Sequence, residues 1–141
     1  MNARRFVDTN ILLYAVSTTV EECSKAETAL RLLESDDLVL SVQVLQEFYV
    51  QATRPAKPDR ISHEQASALI ESWLRFPVQE TTVALMQAAM QTRQKYGLSY
   101  WDASIIAAAR MLDCRVVISE DLSHGADYSG ITVLNPFRNE E

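Results

Sequence analysis

Arg4-Arg5-Phe6-Val7-Asp8-Thr9-Asn10-Ile11-Leu12-Leu13-Tyr14-Ala15-Val16 sets the pattern for the whole chain. It opens as a short strand, stops at an acid, and continues as an apolar run whose length and flanks suit a short helix. The same alternation continues outward. Residues 21–35 predict a helix with Ala26, Ala29, Leu30 and Leu33 at helical spacing. Asp36-Asp37 form a turn, and Leu38-Val39-Leu40 is a buried strand. Ser41 caps a helix reaching about Thr53, with Val44, Leu45, Phe48 and Ala52 on one face. A loop with two prolines and three basic residues fills 54–60. Ser62-His63-Glu64-Gln65 is a capping box for a helix to about Phe76, which Pro77 ends before a strand at 78–80. Residues 82–96 predict a helix closed by Gly97, and Ser99-Tyr100-Trp101-Asp102 a second capping box opening an Ala-rich helix to Leu112. Strands follow at 115–119, which stops at Glu120-Asp121, and at 131–134. Short apolar strands alternating with helices predict an α/β fold on a mostly parallel sheet of about five strands.

The 141 residues fit one domain, 1–141, and 48% apolar content supplies a core without disulfides or a structural metal. Cys23 and Cys114 are far apart in no metal-like spacing and read as reduced, mostly buried thiols. No signal peptide or membrane span is expected, so the protein reads as cytoplasmic with no membrane partner. A net charge of −6 by itself opposes nucleic-acid binding, which usually needs a basic face. The acids serve solubility, a basic partner, or a metal site that reverses the local sign; only their positions discriminate.

In parallel sheets ligands sit outside the carboxyl ends of the strands. Asp8 ends the first strand and Asp121 follows a later one; Glu47 and Asp102 lie in the early turns of helices that follow capping serines. Taken singly, each has an ordinary reading: Asp8 an N-cap, Asp102 part of a capping box, Glu47 a solvated helix residue, Asp121 a turn residue. Together they map to one edge of the sheet. Such a cluster is costly without a cation, and hard oxygen ligands suit Mg²⁺ or Mn²⁺, one or two ions. A site of this kind hydrolyses phosphodiesters without a base of neutral pKa. This suits a chain with two histidines, His63 and His124, both read as surface residues.

Phe6 to Tyr14, Ser41 to Tyr49, Leu98 to Ala103, Ile118 to Leu122, and the ending Asn135-Pro136-Phe137 stand in order and at the spacing of known motifs. With them the chain resembles PIN-domain ribonucleases, and within these the VapC-type toxins of type II toxin–antitoxin systems. The resemblance implies a three-layer α/β/α fold. It implies metal binding and catalysis by Asp8, Glu47, Asp102 and Asp121, with Thr9, Asn10 and Ser119 beside the acids. It also implies RNA as substrate, cleaved to a 5′-phosphate and a 3′-hydroxyl, and a cognate antitoxin partner in a homodimer or toxin–antitoxin hetero-oligomer. Glu120 is an alternative ligand, but the match to the motif favours Asp121; Asp127 is a candidate further acid.

Arg54, Lys57 and Arg60 are candidate RNA phosphate contacts, against an exposed polar loop as the alternative. Tyr14, Tyr49, Tyr100 and Trp101 are candidate base-stacking rings, with core packing the commoner role. The rival readings are a PIN-type RNA-processing or decay nuclease without an antitoxin, an aspartate-based phosphatase, and a non-catalytic RNA-binding domain. The phosphatase wants a second Asp where Asn10 stands, and a receiver module wants a late Lys, whereas the last Lys is Lys95.

Overall fold

A computed structural model describes residues 4–138. β1 (Arg5–Val7) leads through Asp8 into α1 (Thr9–Ala15). A 3₁₀ turn (Val20–Glu22) precedes α2 (Cys23–Leu33), then come β2 (Leu38–Ser41) and α3 (Val42–Ala52). Next are α4 (His63–Trp73), β3 (Val78–Gln79), α5 (Val83–Tyr96) and α6 (Tyr100–Met111), before β4 (Val116–Ile118) and β5 (Thr132–Leu134). All strand pairs are parallel, in the order β3-β2-β1-β4-β5. The sequence expectation of a mostly parallel five-stranded α/β sheet is what the chain forms.

That order creates a switch point. From β1 the chain winds outward to β2 and β3, then returns to the far side of β1 to place β4 and β5. Because parallel crossovers are right-handed, the two directions of winding put helices on opposite faces. α1 packs on α2 and α3, and α3 on α4; α5 and α6 pack on each other, and α6 on β2 and β4. The result is helix, sheet and helix in three layers. The loops leaving β1 and β4 part in opposite directions, so a crevice opens at their carboxyl ends.

The core is continuous across the sheet. β2 is buried along its length, and Phe6, Val7, Val117, Ile118 and Val133 fill the interior from the neighbouring strands. α6 contributes an unbroken buried run from Ala103 to Ala109, small enough to lie close against the strands. Arg5 clamps Asp37 with two bonds, Nε to Oδ2 at 2.7 Å and Nη2 to Oδ1 at 2.9 Å, fixing the turn before β2. Among the described residues no helix is long and apolar enough to cross a membrane.

Several boundaries differ from the sequence reading. The helix expected over 21–35 begins at Cys23, because Ser17 Oγ donates to Glu22 Oε1 at 2.6 Å and Thr19 offers no side-chain cap, which tightens 20–22 into a 3₁₀ turn. α4 ends at Trp73, short of Phe76, since the residue before Pro77 is excluded from helical backbone. Leu30 is half exposed, while Ala29 and Leu33 reach the core. Cys23 is exposed rather than buried; Cys114 is buried as expected, and burial pushes its thiol up to about 12.

Candidate active site

Asp8 is where β1 becomes α1. Its backbone N–H continues the ladder to Ile118 O (3.0 Å), and its Oδ1 accepts from Thr9 N at 2.7 Å as the helix N-cap. Its Oδ2 accepts from Ser119 Oγ at 2.7 Å, and Asn10 Nδ2 stands 3.4 Å away. Ser119, fully buried after β4, also accepts from Asp121 N (3.1 Å) and Leu122 N (3.2 Å). One hydroxyl therefore couples the ends of β1 and β4 across the switch point. Asn10 closes the same junction by accepting from Glu120 N at 3.1 Å.

Ser41 and Ser99 do equivalent work for the other two acids. Ser41 Oγ caps α3 by accepting from Val44 N, and Glu47 lies in the second turn. Ser99 Oγ caps α6 by accepting from Asp102 N at 3.1 Å. The expected second capping box is only half formed, because the Asp102 carboxylate makes no return bond to Ser99 and lines the cleft instead. Asp8, Glu47, Asp102 and Asp121 all line this one cleft, with Thr9 and Asn10; Ser119 stands behind Asp8. The cleft holds about 610 Å³, within the range of ligand sites.

Its electrostatics are lopsided. Eight carboxylates and one ammonium, Lys57, line it. Burial pushes the Asp8 carboxyl up to about 6, the Ser119 and Thr9 bonds oppose the shift, and the charges of Asp121 and Glu47 add to it. Glu47 is braced by Gln43, whose Nε2 donates to Oε1 at 2.8 Å. Glu120 also lines the cleft, but its carboxylate accepts from Tyr14 OH and from Lys25 Nζ at 2.5 Å. Tyr14 and Lys25 thus take one oxygen each, whereas among the described residues the Asp121 carboxylate has no such partner, in keeping with the motif, which favours Asp121 over Glu120.

Asp127 does not join the group: its Oδ1 accepts from Gly130 N at 2.7 Å, and it lines no part of the cleft. The basic loop is divided. Lys57 lines the cleft and pairs with Asp59, Arg54 lines a smaller neighbouring hollow, and Arg60 Nη1 is bound to Pro55 O at 2.8 Å. Of the aromatic candidates, Tyr49 is engaged with His63, Tyr14 with Glu120 and Phe137, and Tyr100 with the core; Trp101 is 66% exposed on the cleft. Sequence reading missed Gln43, for which the i, i+4 spacing to Glu47 was a usable signal. It also missed Lys25, Glu21, Glu22 and Asp59, whose approach comes only from tertiary folding.

The donor set fits a divalent cation. It is built of hard oxygens, and the Thr9 hydroxyl is buried beside Asp8 without a hydrogen-bond partner. Among the described residues no three acidic, histidine or cysteine side chains are already gathered as a coordination shell. Mg²⁺ does not require one: it is commonly held by one or two carboxylates and retains several waters.

Solved structures share the fold. A sarcin–ricin-loop-cleaving VapC toxin of Mycobacterium tuberculosis is 22% identical with TM-score 0.64, over 83% of this chain and 91% of that one. A toxin–antitoxin complex from Klebsiella pneumoniae is 22% identical with TM-score 0.67, over 94% and 97%. DNA-bound VapBC from Salmonella typhimurium is 18% identical with TM-score 0.67, over 96% and 99%. No curated protein matches the chain by direct sequence search. These likenesses speak for fold alone; membership rests on the PIN domain model, which matches residues 5–124, from β1 through the loop after Asp121, and by that match the chain belongs to the PIN-domain family.

Proposed function

We propose that this chain is a metal-dependent endoribonuclease, the toxin of a toxin–antitoxin pair, acting in the cytoplasm. The observation that carries the reading is the lining of one cleft at the β1–β4 switch point by Asp8, Glu47, Asp102 and Asp121 in a PIN-family chain. Asp8, Glu47, Asp102 and Asp121 would hold one or two Mg²⁺ or Mn²⁺ ions. When bound, such an ion neutralises the carboxylates, lowers the pKa of a water and steadies a departing oxygen. Ser119 and Asn10 hold the Asp8 carboxylate in place at the wall of the cleft. Lys25 withholds Glu120 from competing for the ion. Arg54 and Lys57 are proposed to meet RNA phosphates at one rim.

The toxin role is supported by the fold neighbours that are toxin–antitoxin assemblies. It is also supported by apolar side chains left in solvent at Val20, Leu30 and Val50, on the turn before α2 and on α2 and α3. An antitoxin segment or a second copy of the chain would cover these. Induced expression of the wild type beside Asp8→Asn, with mapping of RNA 5′-ends, tests the reading. Growth arrest by the wild type alone, with a few discrete 5′-phosphate ends, is expected; a structured ribosomal RNA loop is one target to inspect, since one neighbour cleaves such a loop. Equal growth of both strains would reject the toxin role. Undiminished cleavage of RNA in excess chelator would reject the metal-dependent nuclease.

A further inference from the structure

The cleft that would take RNA repels it. Eight carboxylates face one ammonium, and that ammonium, on Lys57, is paired with Asp59. Bound cations cancel part of this field only at the reacting phosphate. The flanking nucleotides need a contact that does not depend on charge; of the two rings lining the cleft, Tyr14 is bonded to Glu120, and Trp101 faces solvent. Trp101 is two-thirds exposed, while the other tryptophan, Trp73, is buried. Leaving an indole in water forgoes the burial that stabilises large aromatic side chains elsewhere in the fold.

Trp101 is also held in position. It sits in the first turn of α6, next to Asp102, so ring and carboxylate open onto the same cleft. Tyr100 meets it edge-to-face, with ring centroids 4.9 Å apart and planes at 84°. Gln43 Nε2 reaches the Trp101 carbonyl at 3.5 Å while bonding Glu47, which ties the α6 entry to α3. A large ring with little freedom to lose, beside the reacting carboxylates, is what stacking on a base requires.

We propose that Trp101 is the stacking platform for an unpaired nucleobase beside the scissile phosphate. The proposal deepens the nuclease reading and rests on it, naming the side chain that would hold a base next to the carboxylates. Paired bases are stacked on one another and offer the indole no face.

The test uses the whole protein with Ca²⁺ and three probes: a mixed-sequence single-stranded RNA octamer, its duplex, and an abasic ribose-phosphate oligomer of equal length. The octamer should quench the tryptophan emission; the duplex and the abasic oligomer should not. Trp101→Phe, which leaves only buried Trp73, should abolish the emission change yet hold a labelled octamer within about three-fold of wild type. Trp101→Ala should weaken that binding about ten-fold, the scale of one stacked base, and raise KM for cleavage more than it lowers kcat. Two results overturn the proposal: emission unmoved by the octamer, as an indole reserved for a protein partner would give, or wild-type octamer affinity in Trp101→Ala. Failure of the two readings is distinguishable. Quenching without cleavage of any RNA removes the nuclease and leaves the platform, whereas cleavage with an unresponsive Trp101 does the reverse.

Discussion

Asp8 concentrates the conflict between stability and chemistry. It is buried, close to the charges of Asp121 and Glu47, and its carboxyl is pushed up to about 6 from an ordinary 3.8. Below pH ~4 both folded and unfolded chains hold its proton. Between ~4 and ~6 the folded chain keeps a proton the unfolded one has released, so stability from this residue is lost as pH rises through that window. The shift is about two pH units, corresponding to ~2–3 kcal/mol for the metal-free protein. Asp8→Asn retains the N-cap acceptor and removes the charge. In excess chelator at pH 7 it should therefore melt several degrees higher than wild type, with the difference vanishing near pH 4, while cleavage is lost. A melting temperature at or below wild type across that range would show that Asp8 carries no such burden. The neighbours Glu120 and Asp121 make a second contrast. Asp121→Asn should lower kcat at least 10²-fold with little change in melting, because among the described residues its carboxylate has no hydrogen-bond partner to lose. Glu120→Gln should lower stability by about 1 kcal/mol through the half-buried Lys25 pair and change kcat less than ten-fold; the opposite ranking would reassign the ligand. The motif in the sequence already favoured Asp121; what it could not show is Lys25, 95 residues away, paired with Glu120.

Capping serines aim the acids at the level of elements. β2 runs directly into α3 at Ser41, and the loop after α5 runs into α6 at Ser99, so each helix begins at a hydroxyl and carries its carboxylate in the first or second turn. Ser99→Ala should lower stability by about 1 kcal/mol and weaken Mg²⁺ binding, read by calorimetry, because the cap fixes the turn on which Asp102 stands. Unchanged Mg²⁺ affinity with the expected loss of stability would confine Ser99 to the helix. These caps were legible because N-capping is local chemistry, written within four residues. So was Gly97, which ends α5 in left-handed backbone at φ 69° with its N–H on Arg93 O at 2.8 Å. The 3₁₀ turn before α2 was not legible, since it depends on how Ser17 and Thr19 turn back onto Glu22. Nor was the half-formed box at Ser99: the same four residues would close it if the cleft did not draw the Asp102 carboxylate away.

For the whole molecule, topology brings four scattered acids to one cleft, and charge then limits how that cleft would hold the proposed RNA substrate. Strand–helix alternation revealed the parallel sheet, but the β3-β2-β1-β4-β5 order, which sets Asp8 beside Ser119 and Asp121, follows from crossover handedness and core packing rather than from any short motif. The net charge of −6 was an argument against nucleic acid until the acids were seen to line one cleft. What remains for phosphates is sparse: Lys57, already paired with Asp59; Arg54 in the adjoining hollow; and Arg60, turned to Pro55 O. Each phosphate neutralised on a single strand contributes about −0.7 to the slope of log K against log salt. Three cations at most therefore predict a slope no steeper than about −2, far shallower than that of a protein with a basic RNA-binding face. Lys57→Glu with Arg54→Glu should bring the slope close to zero and weaken octamer binding. A wild-type slope of −4 or steeper, measured in Ca²⁺ between 50 and 300 mM salt, would mean that RNA engages a basic surface remote from this cleft. A carboxylate cleft that held its substrate through bound cations and an exposed ring would lose affinity with salt less steeply than one that grips through lysine and arginine, and the slope separates the two.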